Sequence, residues 1–418
     1  MDVGGAWSTE GMETLRPLDE SHPEVRVVFG LAEAEFAASA IARATAAQMH
    51  AIVRVLREAG EHPELFVDAA ETSGMTEFEV RSYAERAAGA DLATRIGMAE
   101  GTVFALAFQG RELLRATPGV WAAFREGEIS AANARALADR VADVPEHRWR
   151  DLDDAALGMA TLAPARFAGR LRNVVERLAT EPLAVRHRRA AERRRVCVDR
   201  DRDGMSWLSL HVSDAAAARV LARLDEAATR LSGLPGETRT RDQLRADVAV
   251  DLLATGPGGE SSVRATVLVT VPVLTLLGLS DQPATLDGVT PIDADTARRL
   301  AADAPSFHRL LTHPVSGAVL DVDRTTYRVP ADLRRAVLAT HPRCVFPGCG
   351  RRAADSDLDH GRDWARGGGT SFANLAPLCR HHHRMKHLTA WSYQRSDSAF
   401  EWTSPTGAVQ RADDPPPF

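Results

Sequence analysis

Lysine is almost missing from this chain of 418 residues: one lysine, Lys386, stands against fifty arginines. Cysteine is nearly as scarce, with four in all. No long hydrophobic run exists either. The longest, VLVTVPVLTLLGL at 267–279, is too short to span a bilayer. The opening MDVGGAWSTEGMETLRPLDE has neither a basic start nor an apolar centre, so it does not read as a signal peptide. A cytoplasmic location without membrane association is the expectation, and structural disulfides are rare there. No internal repeat emerges.

What is present is unevenly placed. The net charge of −6 and pI near 6.2 give no global sign of a polyanion partner. Residues 341–395, however, carry nine Arg or Lys against four Asp, about +5, which leaves about −11 for the rest. A basic module on an acidic body suits a local polyanion site.

Residues 1–25 read as a flexible acidic tail. From 26 to about 185, apolar residues recur at three- and four-residue spacing, as in VFGLAEAEFAASAIARATAAQMHAIVRVLREAG, which predicts an Ala-rich helical bundle. Beyond 186 the pattern becomes a small mixed α+β region. VCVDRDRDGMSWLSLHV predicts a hairpin turning at Asp203-Gly204. Residues 214–231 and 241–254 predict helices, 263–271 a strand, and 309–322 a second hairpin at Pro314–Gly317. The basic run RHRRAAERRR at 186–195 reads as a solvated helix face. The Pro-rich end, DDPPPF, reads as frayed.

Three of the cysteines, Cys344, Cys349 and Cys379, fall within 36 residues, whereas Cys197 is distant. Cys344-x4-Cys349 and Cys379-x2-His382 form a split pair of pairs. Zinc takes four S/N ligands at roughly 2.0–2.3 Å, and such short pairs supply them from tight turns. Pro347 and Gly348 offer the turn, and His382 has the spacing of the fourth ligand. Between the pairs lie Leu358-Asp359-His360 and the loop GRDWARGGGTSFANL. On a helix successive residues turn by about 100°. His382 and His383 therefore cannot both serve one zinc, His381 faces away from His383, and His387 shares the His383 face.

CVFPGC, DLDH, WARGGGTSFANLAPLC and HHHRMKH, across about residues 341–391, resemble the HNH endonucleases of the ββα-metal fold. Residues 26–330 resemble the actinobacterial domain of unknown function 222, through RTRDQLRADVAVDLL, LDGVTPIDADTARRLAAD and THPVSGAVLDVDRTTYRVPADLRRAV. The second resemblance implies no activity. The first implies a metal-dependent endonuclease acting on DNA, with His360, Asn374 and His383 as catalytic residues. His360 would be the general base, Asp359 and His383 would hold a divalent cation, and Asn374 would brace the loop. Cys344, Cys349, Cys379 and His382 would hold a structural zinc, with His387 as an extra ligand to the cation. The Asp oxygen suits Mg²⁺ or Mn²⁺, and the imidazole also admits Ni²⁺ or Zn²⁺.

Lys386, Arg384 and Arg366 are phosphate-binding candidates, and Trp364 and Trp391 are expected as core supports. His308, His313 and His341 stand singly and read as satisfied structural histidines. Asp363 departs from the family, where a proline is common, and THPR before Cys344 is less basic than usual. A zinc-stabilised nucleic-acid-binding module without cleavage is the alternative, and a helical portion serving protein interaction is a third. The expected organisation is mostly α with α+β parts. It comprises the tail, the helical then α+β domain 26–330, a zinc-stabilised ββα-metal module at 331–395, and a C-terminal tail at 396–418.

Overall fold

The computed structural model describes residues 23–201, 203–254, 269–286, 290–302, 323–324, 329–396 and 399–412. The chain divides into two compact units, residues 1–63 with 88–180, and residues 64–87 with 181–418. Most of the tail 1–25, most of the expected strand 263–271, the hairpin at 309–322, His308, His313 and DDPPPF lie outside the described residues.

The first unit is helical. α1 (Pro23–Glu61) leads, the end of α2 (Glu77–Ile96) lies in this unit, and α3 (Glu100–Ala116), α4 (Pro118–Glu126), α5 (Ala131–Ala138), α6 (Trp149–Leu157) and α7 (Pro164–Leu178) follow. On α1 the buried residues Ala42, Ala46, Met49, Ile52, Leu56 and Ala59 recur every three or four positions, the stripe that packs on α3 and α4. Two polar side chains fix helix ends. Asp153 accepts from the Gly119 and Val120 amides at 2.8 Å each, and Ser130 caps α5 by accepting from Asn133 N.

In the second unit, α8 (Leu183–Glu192) carries most of the basic run and buries nothing. β1 (Arg195–Arg200) and β2 (Ser206–His211) form the expected hairpin. Then come α9 (Asp214–Ser232), α10 (Arg241–Ala254), β3 (Val269–Thr270), α11 (Val273–Leu276), β4 (Ala284–Leu286), β5 (Thr290–Ile292), α12 (Ala294–Ala302) and β6 (Asp323–Arg324). β3, β4 and β5 make a small antiparallel sheet.

The C-terminal part of this unit positions the candidate site. It comprises α13 (Ala331–Thr340), β7 (Asp357–His360), β8 (Thr370–Ser371), β9 (Leu375–Leu378), α14 (Arg380–Leu388), β10 (Ser392–Ser396), β11 (Ala399–Thr403) and β12 (Val409–Ala412). β7 pairs antiparallel with β9, Asp359 opposite Ala376 and His360 opposite Leu375. α14 packs on both strands. Leu333, Val337 and Leu375 form a buried cluster behind them, with Leu358 against it. Alternation along the strand thus puts Leu358 on the core face and Asp359 on the face toward α14.

Residues 399–412 are not tail-like: β10, β11 and β12 form a three-stranded sheet that buries Tyr393, Phe400 and Trp402. Segment 64–87 is tied to the same part. Val67 bridges Thr389, Ala390 N donates to Phe66 O at 3.0 Å, and Trp391 Nε1 donates to Ala87 O at 3.1 Å. Trp391 is a buried core support, as the sequence suggests, whereas Trp364 is 38% exposed. Trp364 sits in the loop and meets the His360 ring edge-on at 6.1 Å.

Candidate metal centres

The first centre joins a tight turn to the start of a helix. Gly348, at φ 76°, turns the chain between Cys344 and Cys349, a conformation that glycine adopts without penalty. Cys379 immediately precedes α14, and His382 lies on its first turn. The ligand atoms of Cys344, Cys349, Cys379 and His382 all lie within 4.8 Å of one another. His382 Nδ1 is 3.4 Å from Cys344 Sγ and 3.3 Å from Cys379 Sγ. A tetrahedral site with ordinary Zn–S and Zn–N bonds has S···N edges of about 3.6 Å, so the donor set fits a metal such as zinc. Hydrogen bonds with Cys344 and Cys349, then His382, hold the Cys379 thiol well below the usual thiol range, while hydrogen bonds with Cys349 and Cys379 push the Cys344 thiol above it, one negative charge being shared among neighbouring thiols. Aromatic rings wall the cluster: Phe346 stacks on His382 at 4.0 Å and meets Trp391 and Trp402 edge-on. Trp402 Nε1 also donates to Val345 O at 2.8 Å. Cys197 lies apart, on β1.

The second centre uses the other face of α14. His382 and Met385 are buried, while His383, Lys386 and His387 meet β7. Asp359 Oδ1 is 3.4 Å from His383 Nε2 and 3.4 Å from His387 Nε2, and these three form a group able to hold a metal ion. Ligand edges of about 3.0–3.4 Å are what bonds near 2.1 Å produce. Burial alone would raise the Asp359 carboxyl. Hydrogen bonds from His383 and His387 and the charge of Lys386 outweigh it and keep the group ionised, far below the usual carboxylate range. His383 is held by its second nitrogen, with Nδ1 3.1 Å from Asp357 Oδ2, which directs Nε2 to the site. Its bond to Asp359 raises the His383 pKa.

His360 follows Asp359 at the end of β7. Its Nε2 lies 3.0 Å from Thr370 Oγ1. Burial lowers its pKa below the ordinary 6.5, and the nearby charges of Asp359 and Lys386 act in opposite directions. Asn374 closes the loop by three bonds: Oδ1 accepts from Arg362 N at 2.8 Å, and Nδ2 donates to Arg362 O and Gly369 O. Gly368 is needed here, because a Cβ would collide with the Arg362 carbonyl. A cleft of about 270 Å³ opens alongside, lined by Arg362, Asn374, Tyr393 and Arg395 among others.

The phosphate candidates divide. Arg384 and Arg366 are exposed. Lys386 instead turns inward: Nζ lies 2.7 Å from Asp359 Oδ2, 2.9 Å from His360 O and 3.6 Å from Asp363 Oδ1. The Asp363 departure therefore has partners, Lys386 and, at 3.8 Å, Arg366. His381 packs edge-on against His382. His341 is structural but not satisfied, since it is buried with no hydrogen-bond partner for either ring nitrogen among the described residues.

Three residues near the site escaped the sequence reading. Asp357 had a signal, since it lies two residues before Asp359 and shares its strand face. Thr370 and Tyr393, whose hydroxyl donates to Asp359 Oδ2 at 3.0 Å, had none, because loop closure and strand packing bring them in.

Comparison with known families divides the chain in the same order. The family model described as Domain of unknown function (DUF222) matches residues 32–340, and that described as HNH endonuclease matches residues 344–389. No curated protein and no solved structure matches the chain. Among the described residues, no helix is long and apolar enough to cross a membrane.

Proposed function

Because the chain belongs to the DUF222 family and carries an HNH endonuclease domain behind it, we propose that it is a cation-dependent endonuclease hydrolysing phosphodiester bonds in DNA. The observation that carries this reading is geometric: on successive residues of β7 stand a carboxylate, Asp359, whose Oδ1 lies 3.4 Å from both His383 Nε2 and His387 Nε2, and a histidine, His360. Binding alone requires no general base.

His360 takes the proton of the attacking water. Its Nε2 lies 3.0 Å from Thr370 Oγ1, and a lowered pKa keeps the ring neutral near pH 7 and able to accept that proton. Asp359, His383 and His387 would hold the divalent cation. When bound, that cation neutralises charge developing on the phosphate and on the leaving oxygen. Asn374, bonded to Arg362 and Gly369, braces the loop that follows His360 and orients it. Cys344, Cys349, Cys379 and His382 would hold a structural zinc that fixes the start of α14. Arg384 and Arg366, both exposed, would meet the DNA backbone, positioning it without reading sequence.

The test is incubation of the purified chain with supercoiled plasmid and Mg²⁺ or Mn²⁺, against an EDTA control and His360→Ala. Cleavage that requires the cation and falls ~10²–10⁴-fold in His360→Ala is expected. Parent-like cleavage by His360→Ala would refute the role of His360. DNA binding with no cleavage by the parent would leave the chain a binding module.

A further inference from the structure

We infer that Tyr393 and Lys386 are positioning residues that tie down one oxygen of Asp359. The carboxylate then meets a cation through its other oxygen alone, and the site favours a nitrogen-accepting divalent cation over Mg²⁺. This rests on the reading that Asp359, His383 and His387 hold the cation.

The two Asp359 oxygens have separate surroundings. Oδ2 accepts from Lys386 Nζ at 2.7 Å and from Tyr393 Oη at 3.0 Å. Oδ1 faces the two imidazole Nε2 atoms, at 3.4 Å each. The Asp359 side chain is only 4% exposed, so a change of its hydrogen bonds has little water to compensate it. A carboxylate fixed at one oxygen cannot turn to offer both.

Both donors are themselves held. Tyr393 lies on β10 opposite Trp402 of β11, with its ring 4.8 Å from Trp402 and 5.8 Å from Phe400. The Lys386 ammonium lies 5.3 Å over the Tyr393 ring and also donates to His360 O at 2.9 Å. One ammonium therefore fixes both the ligand and the backbone of the proposed base. Tyr393 lies beyond the residues matched as HNH endonuclease, which gives the C-terminal sheet a part in the site.

The selectivity follows from donor type. Mg²⁺ is small, demands near-ideal octahedral oxygen coordination and is bound through carboxylates and water. One carboxylate oxygen, already sharing its charge with an ammonium, plus two imidazoles suits Mn²⁺, Ni²⁺ or Zn²⁺ better.

The test is titration calorimetry of Mn²⁺ and Mg²⁺ into the zinc-loaded full chain, without DNA, for the parent, Tyr393→Phe and Lys386→Met. Zinc content and melting temperature are measured beside each. The parent is expected to bind Mn²⁺ ~10-fold or more tighter than Mg²⁺. Tyr393→Phe should lose ~10-fold in Mn²⁺ affinity while keeping zinc and melting temperature, as the removal of an outer partner of a ligand does. Lys386→Met removes the ammonium that shares the Asp359 charge, with Tyr393 still donating to Oδ2, so Mg²⁺, which is bound through carboxylate charge, gains more than Mn²⁺ and the preference shrinks by ~3-fold or more. Mn²⁺ affinity of Tyr393→Phe within twofold of the parent overturns the inference, as does an unchanged preference in Lys386→Met. A parent that binds no cation beside its zinc overturns the cation site itself. A parent that binds as expected but cuts no DNA refutes the nuclease reading and leaves this inference standing.

Discussion

At His360, burial makes protonation harder and holds the pKa below 6.5. The base works neutral, so cleavage at saturating Mn²⁺ is expected to rise with pH through an inflection below 6.5 and then level off. Saturation matters because His383, whose pKa is raised, binds protons in competition with the cation. An inflection above 7 under saturating Mn²⁺ would contradict this. Burial acts harder on His341, which packs between Phe372 and Phe400. Desolvation first, and the Arg395 charge second, lower its pKa to about 3. Between that value and 6.5 the unfolded chain binds a proton that the folded chain does not, so stability is lost as pH falls. The loss is about 2 kcal/mol at pH 5. His341→Phe is expected to remove that loss, measured as urea unfolding at pH 5 and pH 7.5. A variant that loses as much stability on acidification as the parent would show that His341 is not the cause.

At the scale of elements, α14 serves two sites from two faces. His382 and Met385 point to the thiols and the core, while His383, Lys386 and His387 meet Asp359. Substitutions one residue apart should therefore fail differently. His382→Ala is expected to lose zinc and the folding of residues 331–412, because the thiol cluster loses its fourth donor. His383→Ala should keep zinc and lose the second cation. Elemental analysis with Mn²⁺ titration of both variants checks this, and equal loss of zinc from both would break the two-face assignment. Much of this helix was legible in the sequence, since the 100° step depends on local geometry alone. Lys386 was legible in part: it lies between His383 and His387 on one face, yet which acceptor it meets depended on β7.

At the scale of the molecule, the division at 64–87 cuts across the family boundaries. That segment lies inside the stretch matched as DUF222, yet it groups with residues 181–418. Phe66 and Ala87 each accept a hydrogen bond from the chain just after α14. A fragment of residues 331–418 lacks both partners, so the Ala390 amide and the Trp391 indole lose their acceptors. It is expected to retain zinc but to be less stable than the same region of the full chain by about 2 kcal/mol or more, from two lost hydrogen bonds near 1 kcal/mol each. Urea unfolding followed by tryptophan fluorescence measures it. Equal midpoints would show that segment 64–87 contributes nothing.

The sequence by itself determined the Cys344/Cys349 and Cys379/His382 spacing, the helical phase of α14, the β1–β2 hairpin and the helices of the first unit. Each depends on turn chemistry or a repeat of 2 or 3.6 residues, which act over a few positions. Only the tertiary structure decided that Lys386 faces Asp359, that Thr370 meets His360, that Tyr393 reaches Asp359 from 34 positions away, and that Ala87 meets Trp391 across 304. These contacts follow from strand register and from how elements pack, and no local periodicity encodes either. His341 shows the same limit, for a lone histidine in sequence carries no sign of whether burial will leave it a partner.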